Sequence, residues 1–528
     1  MNMGRIFARA VKRYPEETAI VDQEEDIRYT YREWYDKTTD LAAALTRSGV
    51  SPGDRVAATM RNRSELATIY CATQLVGAVF IPLNFRSSSA ELAYFMNSAD
   101  PDLLFLSKDT SETVTDARTD SEASFEVVSV DDEVEDITSY EEFIGDGGAV
   151  DPTFVDPTET SAILFTGGTT GDPKGVPRTH VNTYTAAMAH AIQTSWSQRE
   201  TTLGLMSLSH TMGLHTLAAI LVLGGTWIAQ RSFSAAETVD LVASENITSL
   251  YLVPTVYHDL VNSAAIEDAE LNSVQSVSFA GASMTIPVVR QVADVFDPDV
   301  FVNHYGSTEV YTHTIRENLT VEPGSTGYAG INTEIRIVEP MDFGNLNPEK
   351  TVEQGELGEI IVDASSPEAF DGYLTDDSDE AARTLVDGWF FTGDLGYRDG
   401  DGGLSLVGRV DDMIISGGEN IYPVEVEDVL EAHEVVREAA VVGRPSERWN
   451  QSVTAFVTLD TDPDTANFEA IAATLDEYCR KSDDLADFKR PRTYFFTEEL
   501  AKSNVGKILR KELQKDDVDL HVYRTVSI

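Results

Sequence analysis

Ala162-Ile163-Leu164-Phe165-Thr166-Gly167-Gly168-Thr169-Thr170-Gly171-Asp172-Pro173-Lys174-Gly175 is the stretch on which the fold turns. Its opening is a short apolar run that predicts a buried strand over 162–166, and it ends abruptly in glycine and threonine. Glycine lets the backbone curl so that successive N–H groups converge on an anion. Thr166, Thr169 and Thr170 add hydroxyl donors around Gly167, Gly168 and Gly171, and Lys174 adds a point charge. The ending is not the Gly-Lys-[Ser/Thr] of a Walker loop, which sets the usual NTPase reading aside. A bare turn is the alternative, but three Thr, four Gly and one Lys in ten residues favour an anion cradle.

Around this loop, short β-branched runs alternate with helical patterns. Strands are predicted at 56–59, 79–82, 103–106, 204–208, 226–230, 249–253, 274–280 and 300–304, with amphipathic helices over 64–76, 90–97 and 234–245. Such alternation implies mostly parallel sheets with helices on their faces. Past residue 305 the pattern changes to short strands between Gly-rich turns, a small β-subdomain at about 333–408. Beyond Gly408-Arg409, helices over 423–432 and 468–481 alternate with strands at 439–443, 452–459 and 493–496. The expected fold is α/β: a large N-terminal domain of mostly parallel sheets, 1–409, followed by a small α+β C-terminal domain, 410–528.

A chain of 528 residues is too long for one core. Its 89 acidic residues against 39 basic ones give a formal net charge of −50. That surface repels itself unless salt screens it; at about 1 M salt the Debye length is ~3 Å. A halophile's cytoplasmic protein is the reading, and a merely acidic mesophilic protein the alternative. A polyanionic surface argues against nucleic acid and anionic membranes as partners. Two cysteines, Cys71 and Cys479, support neither a disulfide framework nor a zinc site. Residues 1–14 lack an uninterrupted apolar core and read as a surface helix rather than a signal peptide. The most apolar stretch, 213–230, is broken by His215, Thr216 and Gly224-Gly225, and reads as a helix, a turn and a strand rather than a membrane span. The acidic stretch 109–136 reads as a solvated loop or insertion with one strand at 125–130.

Three further constellations carry chemistry. Asn303-His304-Tyr305-Gly306-Ser307-Thr308-Glu309 falls at a strand's carboxyl end, where ligands of open α/β sheets sit. A carboxylate beside a hydroxyl suits Mg²⁺ bound jointly with phosphates, and Tyr305 and Asn303 suit a purine. Trp389-Phe390-Phe391-Thr392-Gly393-Asp394 and Gly408-Arg409-Val410-Asp411-Asp412 set a carboxylate in a Gly-flanked turn, fit for two ribose hydroxyls. An Asp394–Arg409 salt bridge bracing a hairpin is the alternative. Asn504-Val505-Gly506-Lys507-Ile508-Leu509-Arg510-Lys511 puts a lysine behind glycine in a chain poor in lysine.

In order and spacing these motifs resemble the adenylate-forming superfamily: acyl- and aryl-CoA synthetases, amino-acid-adenylating domains and firefly luciferase. The resemblance spans nearly the whole chain, including Gly324-Ser325-Thr326-Gly327, Gly355-Glu356-Leu357-Gly358-Glu359-Ile360 and Gly417-Gly418-Glu419-Asn420-Ile421. It implies an ATP-dependent acid:CoA ligase that forms acyl-AMP and pyrophosphate, then acyl-CoA and AMP. By resemblance, the 166–175 loop embraces the β,γ-phosphates, Glu309 holds Mg²⁺, and Thr308 lies near the α-phosphate. Asn303, Tyr305, Gly306, Ser307 and the Gly281-Ala282 backbone frame the nucleotide, Asp394 and Arg409 bind ribose, and Lys507 bridges carboxylate and α-phosphate. Joining a carboxylate to ATP sets anion against anion, so the charges of Mg²⁺, Lys174 and Lys507 fit the task.

The resemblance also implies a mobile C-terminal domain turning about Asp411, which exchanges Lys507 for the Gly417-Gly418-Glu419 strand at the pantetheine tunnel. Trp449 and Phe488 are candidates to stack on the CoA adenine, or are plain core aromatics. Arg480, Lys489, Arg490 and Arg492 form a basic cluster for the CoA phosphates. No carboxylate stands in Leu208-Ser209-His210-Thr211-Met212-Gly213, which argues against an amino-acid substrate. His210 resembles the family's gate beside the acyl carbonyl, with a satisfied buried histidine as the alternative. The acyl pocket is expected from His210, Thr211, Met212, Leu214, Thr255, Ala280, Gly281, Val310 and Tyr311, apolar enough for an aromatic or fatty acid. Departures are Gly167 for a frequent Ser, Ala501 for Pro, and Asn450-Gln451 for Gly-Glu. The expected partners are the acid, ATP and CoA, in the cytoplasm, with a homodimer allowed for. The sequence ends at Ile528 without an appended carrier, so free CoA is the expected acceptor. A freestanding enzyme loading a carrier protein, a luciferase-like oxygenase and a nucleotide sensor without turnover remain as rivals.

Overall fold

The computed structural model describes residues 1–131, 134, 136–148, 150–166, 173–267, 269–319, 325–341, 345–374, 384–446, 448–460, 463, 466–482, 485–502, 508–515, 518 and 520–528, with the side chain of Asn420 excepted. They fall into two compact units. The first holds Met1–Thr166, Pro173–Ile335 and Val362–Phe390; the second holds Arg336–Ile361 and Phe391–Ile528.

Two sheets build the first unit. One has seven strands in the order Thr138–Ser139, Glu126–Ser129, Leu103–Leu106, Arg55–Thr59, Val79–Leu83, Thr160–Phe165, Gly175–Thr179. Its pairs are parallel until the last, where Gly175–Thr179 returns antiparallel along Thr160–Phe165. The other has nine strands, in the order Tyr328–Ala329, Thr314–Arg316, Val300–Tyr305, Ser276–Phe279, Ser249–Leu252, Thr201–Gly204, Thr226–Ala229, Thr18–Asp22, Ile27–Thr30. Its middle pairs are parallel and its edges antiparallel. A common core of Leu66, Tyr70, Phe80, Leu214, Leu217 and Trp227 fills the space around the helices Ser64–Val76 and Thr211–Leu223. This is the α/β architecture that the alternation predicts.

Four local expectations change. The helix Ser64–Val76 is not amphipathic: every residue but Glu65 is buried, as befits a helix with apolar neighbours all round. The strand expected at 204–208 lies at Thr201–Gly204 instead. There the side chain of Asn62 donates to the carbonyls of Gly204 and Met206, both at 2.8 Å. The acidic stretch 109–136 is no solvated insertion. It folds as the helix Ser111–Asp120, with Val114 and Ala117 buried, followed by the strand Glu126–Ser129 in the sheet. Two apolar residues three apart suffice to seat that helix, too faint a stripe to stand out among acids. The N-terminal helix Met3–Arg13 buries Met3, Ile6, Phe7 and Ala10 in the core, so only its outer face is surface.

The stretch 213–230 behaves as predicted. A buried helix ends at Gly224, whose φ of +67° supplies the left-handed cap, and a strand follows. No described helix is long and apolar enough to cross a membrane.

The strands Gly358–Asp363, Trp389–Arg398 and Leu404–Arg409, most of whose residues fall in the second unit, belong to a small sheet. A six-stranded sheet follows, in which Asn450–Leu459 pairs with Val436–Ser446 on one side and with Thr493–Thr497 on the other. Helices Pro423–Glu431 and Phe468–Lys481 cover it through Val426, Leu430, Leu475 and Cys479. This is the smaller α+β part.

Candidate active site

In the first unit, the strand Thr160–Phe165 delivers Thr166 to the neck of the glycine loop. Its backbone N–H donates to the Lys174 carbonyl at 3.0 Å, and its Oγ1 accepts from the Lys174 N–H at 3.1 Å. Gly167, Gly168, Thr169, Thr170 and Gly171 lie outside the described residues. The Lys174 ammonium stands 5.1 Å over the ring of Tyr373, a cation–π contact. The N–H of Leu374 donates to the Gly175 carbonyl at 2.8 Å, laying the segment with Tyr373 along the exit of the loop.

The second motif ends the strand Val300–Tyr305, where Asn303 pairs with Phe279 and Arg316, and Tyr305 meets the ring of His313 edge-on at 4.7 Å. Gly306 has to be glycine: a Cβ there would stand 1.8 Å from the carbonyl oxygen of Tyr311. Ser307 and Val310 then close a tight turn, Ser307 N–H donating to the Val310 carbonyl at 3.0 Å and Val310 N–H to Ser307 Oγ at 3.2 Å. Thr308 and Glu309 ride at its tip. Oε1 of Glu309 accepts from the Tyr373 hydroxyl at 2.9 Å. The Phe370 N–H donates to the Glu309 carbonyl at 2.8 Å.

Of the expected acyl-pocket residues, His210 precedes the helix Thr211–Leu223 as its N-cap residue. Gly281 has φ +88°, and a Cβ on it would lie 3.5 Å from Val253 Cγ1 and 4.0 Å from Met212 Sδ, so Met212 and Gly281 are neighbours beside Ala280. Thr255 and Ala282 are exposed. Leu214, Val310 and Tyr311 are fully buried. Tyr311 belongs to an aromatic cluster: its ring packs 4.2 Å from that of His215, and its hydroxyl lies 3.1 Å from Nδ1 of His190. His215 Nδ1 in turn lies 2.8 Å from both the hydroxyl and the carbonyl oxygen of Thr211. Burial first, then the charge of Arg178, pushes the His215 imidazole down to about 3.

In the second unit, Arg409 Nη1 donates to Asp394 Oδ1 at 2.5 Å, across the register pair they form between two strands. Gly393, with φ +72°, makes room, since a Cβ would lie 2.7 Å from Arg409 Nη2. Glu359 accepts from the Gly393 N–H at 3.1 Å, and burial pushes its carboxyl up to about 7. Gly417 and Gly418, at φ +64° and +92°, form the two-residue turn of a hairpin between Ile414–Ser416 and Glu419–Ile421, so the expected strand is a strand–turn–strand.

Trp449 lies against that turn; its carbonyl accepts from the Gly417 N–H at 2.8 Å, yet the side chain is 41% exposed. Phe488 is 44% exposed. Neither is a core aromatic. The basic cluster is largely neutralised: Arg480 and Arg490 both bind Asp476, Arg490 also binds Asp487, and Lys489 binds Glu425 at 2.6 Å. Lys507 lies outside the described residues. The residues flanking 503–507 are held by an antiparallel bridge between Lys502 and Ile508 and by the Leu509 N–H on the Ala501 carbonyl at 2.8 Å. Arg510 grips both carboxylate oxygens of Glu427, at 2.7 and 2.6 Å, and lies 3.6 Å from Asp412, the neighbour of exposed Asp411.

Comparison with known proteins gives this arrangement a family. The model of the AMP-binding enzyme family matches residues 7–374, and that of the AMP-binding enzyme C-terminal domain matches 425–507. This chain belongs to the AMP-binding enzymes. A 4-chlorobenzoate–CoA ligase of Arthrobacter sp is 32% identical over 519 residues, 97% of this chain and 94% of that protein. A feruloyl-CoA synthase of Amycolatopsis sp is 31% identical over 521 residues, 97% and 98% of the two chains. The o-succinylbenzoate CoA synthetase of Bacillus subtilis, solved with its acyl-adenylate intermediate, superposes with a TM-score of 0.83 at 25% identity, covering 97% of this chain and 98% of that one.

Tyr373 and Glu368 of this AMP-binding enzyme escaped the motif reading, as did Arg178, a charged residue in the middle of the buried strand Gly175–Thr179. A charge in such a strand is itself a signal, because a buried charge needs a partner. Mg²⁺ suits the donor set at Glu309. Oε2 of the half-buried carboxylate has no hydrogen-bond partner among the described residues, and an oxygen donor is what a hard cation takes. No group of three metal-ligating side chains occurs among the described residues. One carboxylate with phosphate oxygens is the usual Mg²⁺ arrangement.

Proposed function

We propose that this AMP-binding enzyme is an ATP-dependent acid:CoA ligase. In its first step an ionised carboxylate attacks the α-phosphorus of ATP and pyrophosphate leaves. In the second, the CoA thiol displaces AMP from the acyl-adenylate. The observation that carries this reading is the pairing at Tyr373, whose ring faces the Lys174 cation and whose hydroxyl holds Glu309. A cation at the loop exit and an oriented carboxylate are what a triphosphate needs. Mg²⁺, held by Glu309, would neutralise phosphate charge. No general base is required, because the nucleophile is already an anion.

The remaining roles follow the motifs. Lys507 neutralises charge where the acid meets the α-phosphate, Asp394 and Arg409 hold ribose, and Gly417-Gly418 with Trp449 and Phe488 serve CoA. Exposure of both aromatic rings supports the last assignment. The domain boundary lies at 409/410, with Asp411 as the hinge. The acid is aromatic: the relatives named above act on chlorobenzoate and ferulate, and no carboxylate lies between 208 and 213 to meet an ammonium. The enzyme works in a salt-rich cytoplasm. A pyrophosphate-release panel of benzoates, cinnamates and fatty acids in molar KCl tests the proposal. Turnover should be best among the aromatic acids; no pyrophosphate from any acid would refute the ligase reading.

A further inference from the structure

Arg178 is wholly buried, in register with Ala162 on the strand that leaves the glycine loop. A cation taken from water is costly unless hydrogen bonds offset the loss, and the Nε of Arg178 finds no acceptor among the described residues. Here Nη1 donates to the carbonyl oxygens of Thr308 at 3.1 Å and Glu309 at 2.8 Å, and Nη2 donates to that of Glu368 at 2.6 Å. Burial pulls the guanidinium down to about 10, still charged at neutral pH, with Glu368 and Glu309 as the nearby anions. The segment with Glu368 is pinned a second time, by Asn182 Nδ2 on the carbonyls of Pro367 at 3.1 Å and Ala369 at 2.8 Å. It is pinned a third time by a bridge between Ala369 and Val310. One guanidinium thus joins three chain segments: its own strand, the Thr308–Glu309 turn and the segment with Glu368.

A charge is not needed for mere packing; an apolar side chain of similar volume fills a core more cheaply. What a planar, multi-donor cation adds is fixed geometry at several acceptors at once. Both carbonyls it takes on the turn belong to Thr308 and Glu309, the tip residues themselves.

We propose that Arg178 is a positioning residue for adenylation, holding the Thr308–Glu309 turn at a set distance from the strand that follows Lys174. It touches neither nucleotide nor acid. It fixes the carboxylate that receives the cation against the lysine that meets the phosphates. The inference rests on the reading of Glu309 as the metal carboxylate. Groups that orient a metal ligand typically change metal affinity by about 10–100-fold when removed.

The test is equilibrium binding of Mn²⁺–ATP, followed by the electron paramagnetic resonance of the ion without acid or CoA. It compares wild type, Arg178→Met and Arg178→Lys. Arg178→Met should bind at least about tenfold more weakly. Arg178→Lys, which keeps the charge but cannot span three carbonyls, should be weakened several-fold. Thioester formation from supplied acyl-adenylate and CoA should suffer far less than pyrophosphate release. Unchanged Mn²⁺–ATP binding in a folded Arg178→Met protein would overturn the proposal, as would equal loss in both half-reactions. Should Arg178→Met not fold, wild-type binding by Arg178→Lys would overturn it alone. A wild-type protein that binds Mn²⁺–ATP but activates no acid would instead refute the ligase reading and leave the role of Arg178 measurable.

Discussion

The hydroxyl of Tyr373 donates to Oε1 of Glu309 at 2.9 Å, while the same ring faces the ammonium of Lys174 at 5.1 Å. One side chain therefore fixes both a carboxylate and a cation from motifs about 130 residues apart in sequence. A hydrogen bond to a charged group is worth about 1.5–3 kcal/mol. Tyr373→Phe keeps the ring and removes the bond. Its kcat/KM for ATP in pyrophosphate release should fall about tenfold, with little change in thioester formation from acyl-adenylate. An unaltered ATP dependence would mean that Tyr373 is only a packing residue.

Arg510 makes a separate case in the second unit. It grips both carboxylate oxygens of Glu427 from the start of the helix Arg510–Gln514, just after the Lys502–Ile508 bridge. Breaking a buried pair by removing one partner typically costs about 3–5 kcal/mol. Arg510→Met should therefore lower the melting temperature and copy Lys507→Ala, with adenylation lost and thioester formation from supplied acyl-adenylate retained. Equal loss of both half-reactions would show that the pair serves folding alone.

The buried histidines tie stability to pH. Burial lowers His180 and His304 to about 4 and His215 to about 3, and lowers His190 too. Unfolded histidine titrates near 6.5, so below that pH the unfolded chain binds more protons than the folded one. Stability is then fully present above about 6.5 and falls as the pH drops toward 4, by about 1.4 kcal/mol per pH unit for each such histidine. Glu359 and Glu431, pushed up to about 7 by burial, act with the opposite sign over the same window. The measurement is accordingly a difference: urea melts of wild type and His215→Phe at pH 7, 6 and 5. Wild type should lose more stability on acidification, by about one proton's worth; parallel curves would contradict this.

Much of the fold could be read before any coordinates. The segments 103–106, 64–76 and 468–481 coincide with Leu103–Leu106, Ser64–Val76 and Phe468–Lys481, because local apolar pattern and chain punctuation decide them. Candidate site residues could be named where the residue types stand in a contiguous motif, as with Thr166, Lys174 and Glu309. The site was illegible where one side chain serves distant backbone. Nothing local to Arg178 names the carbonyls of Thr308, Glu309 and Glu368. The basic cluster misled although part of its neutralisation is local, Asp476 standing one helical turn before Arg480 and Asp487 just before Arg490; only Glu425 comes from another helix. The strand expected at 204–208 ends at Gly204, and Asn62, distant in sequence, bonds the Met206 carbonyl beyond it.

Charge crowding gives a further expectation. Arg63 and Arg231 between them lie within 3.6 Å of Asp22, Glu24, Glu25, Glu65 and Asp131. With a net charge of −50 there is little other cation to screen such groups in dilute buffer. The melting temperature should rise steadily from dilute buffer to molar KCl. An unchanged melting curve would count against the halophilic reading.

The claim beneath all of this is that the acid is activated by transfer of AMP. Incubation with ATP, Mg²⁺ and a turned-over aromatic acid, with CoA left out, addresses it directly by phosphorus-31 resonance. The account predicts pyrophosphate and an acyl-adenylate in equal amounts, with AMP and thioester appearing only once CoA is added. ADP with orthophosphate, or no phosphorus product until CoA is present, would contradict it.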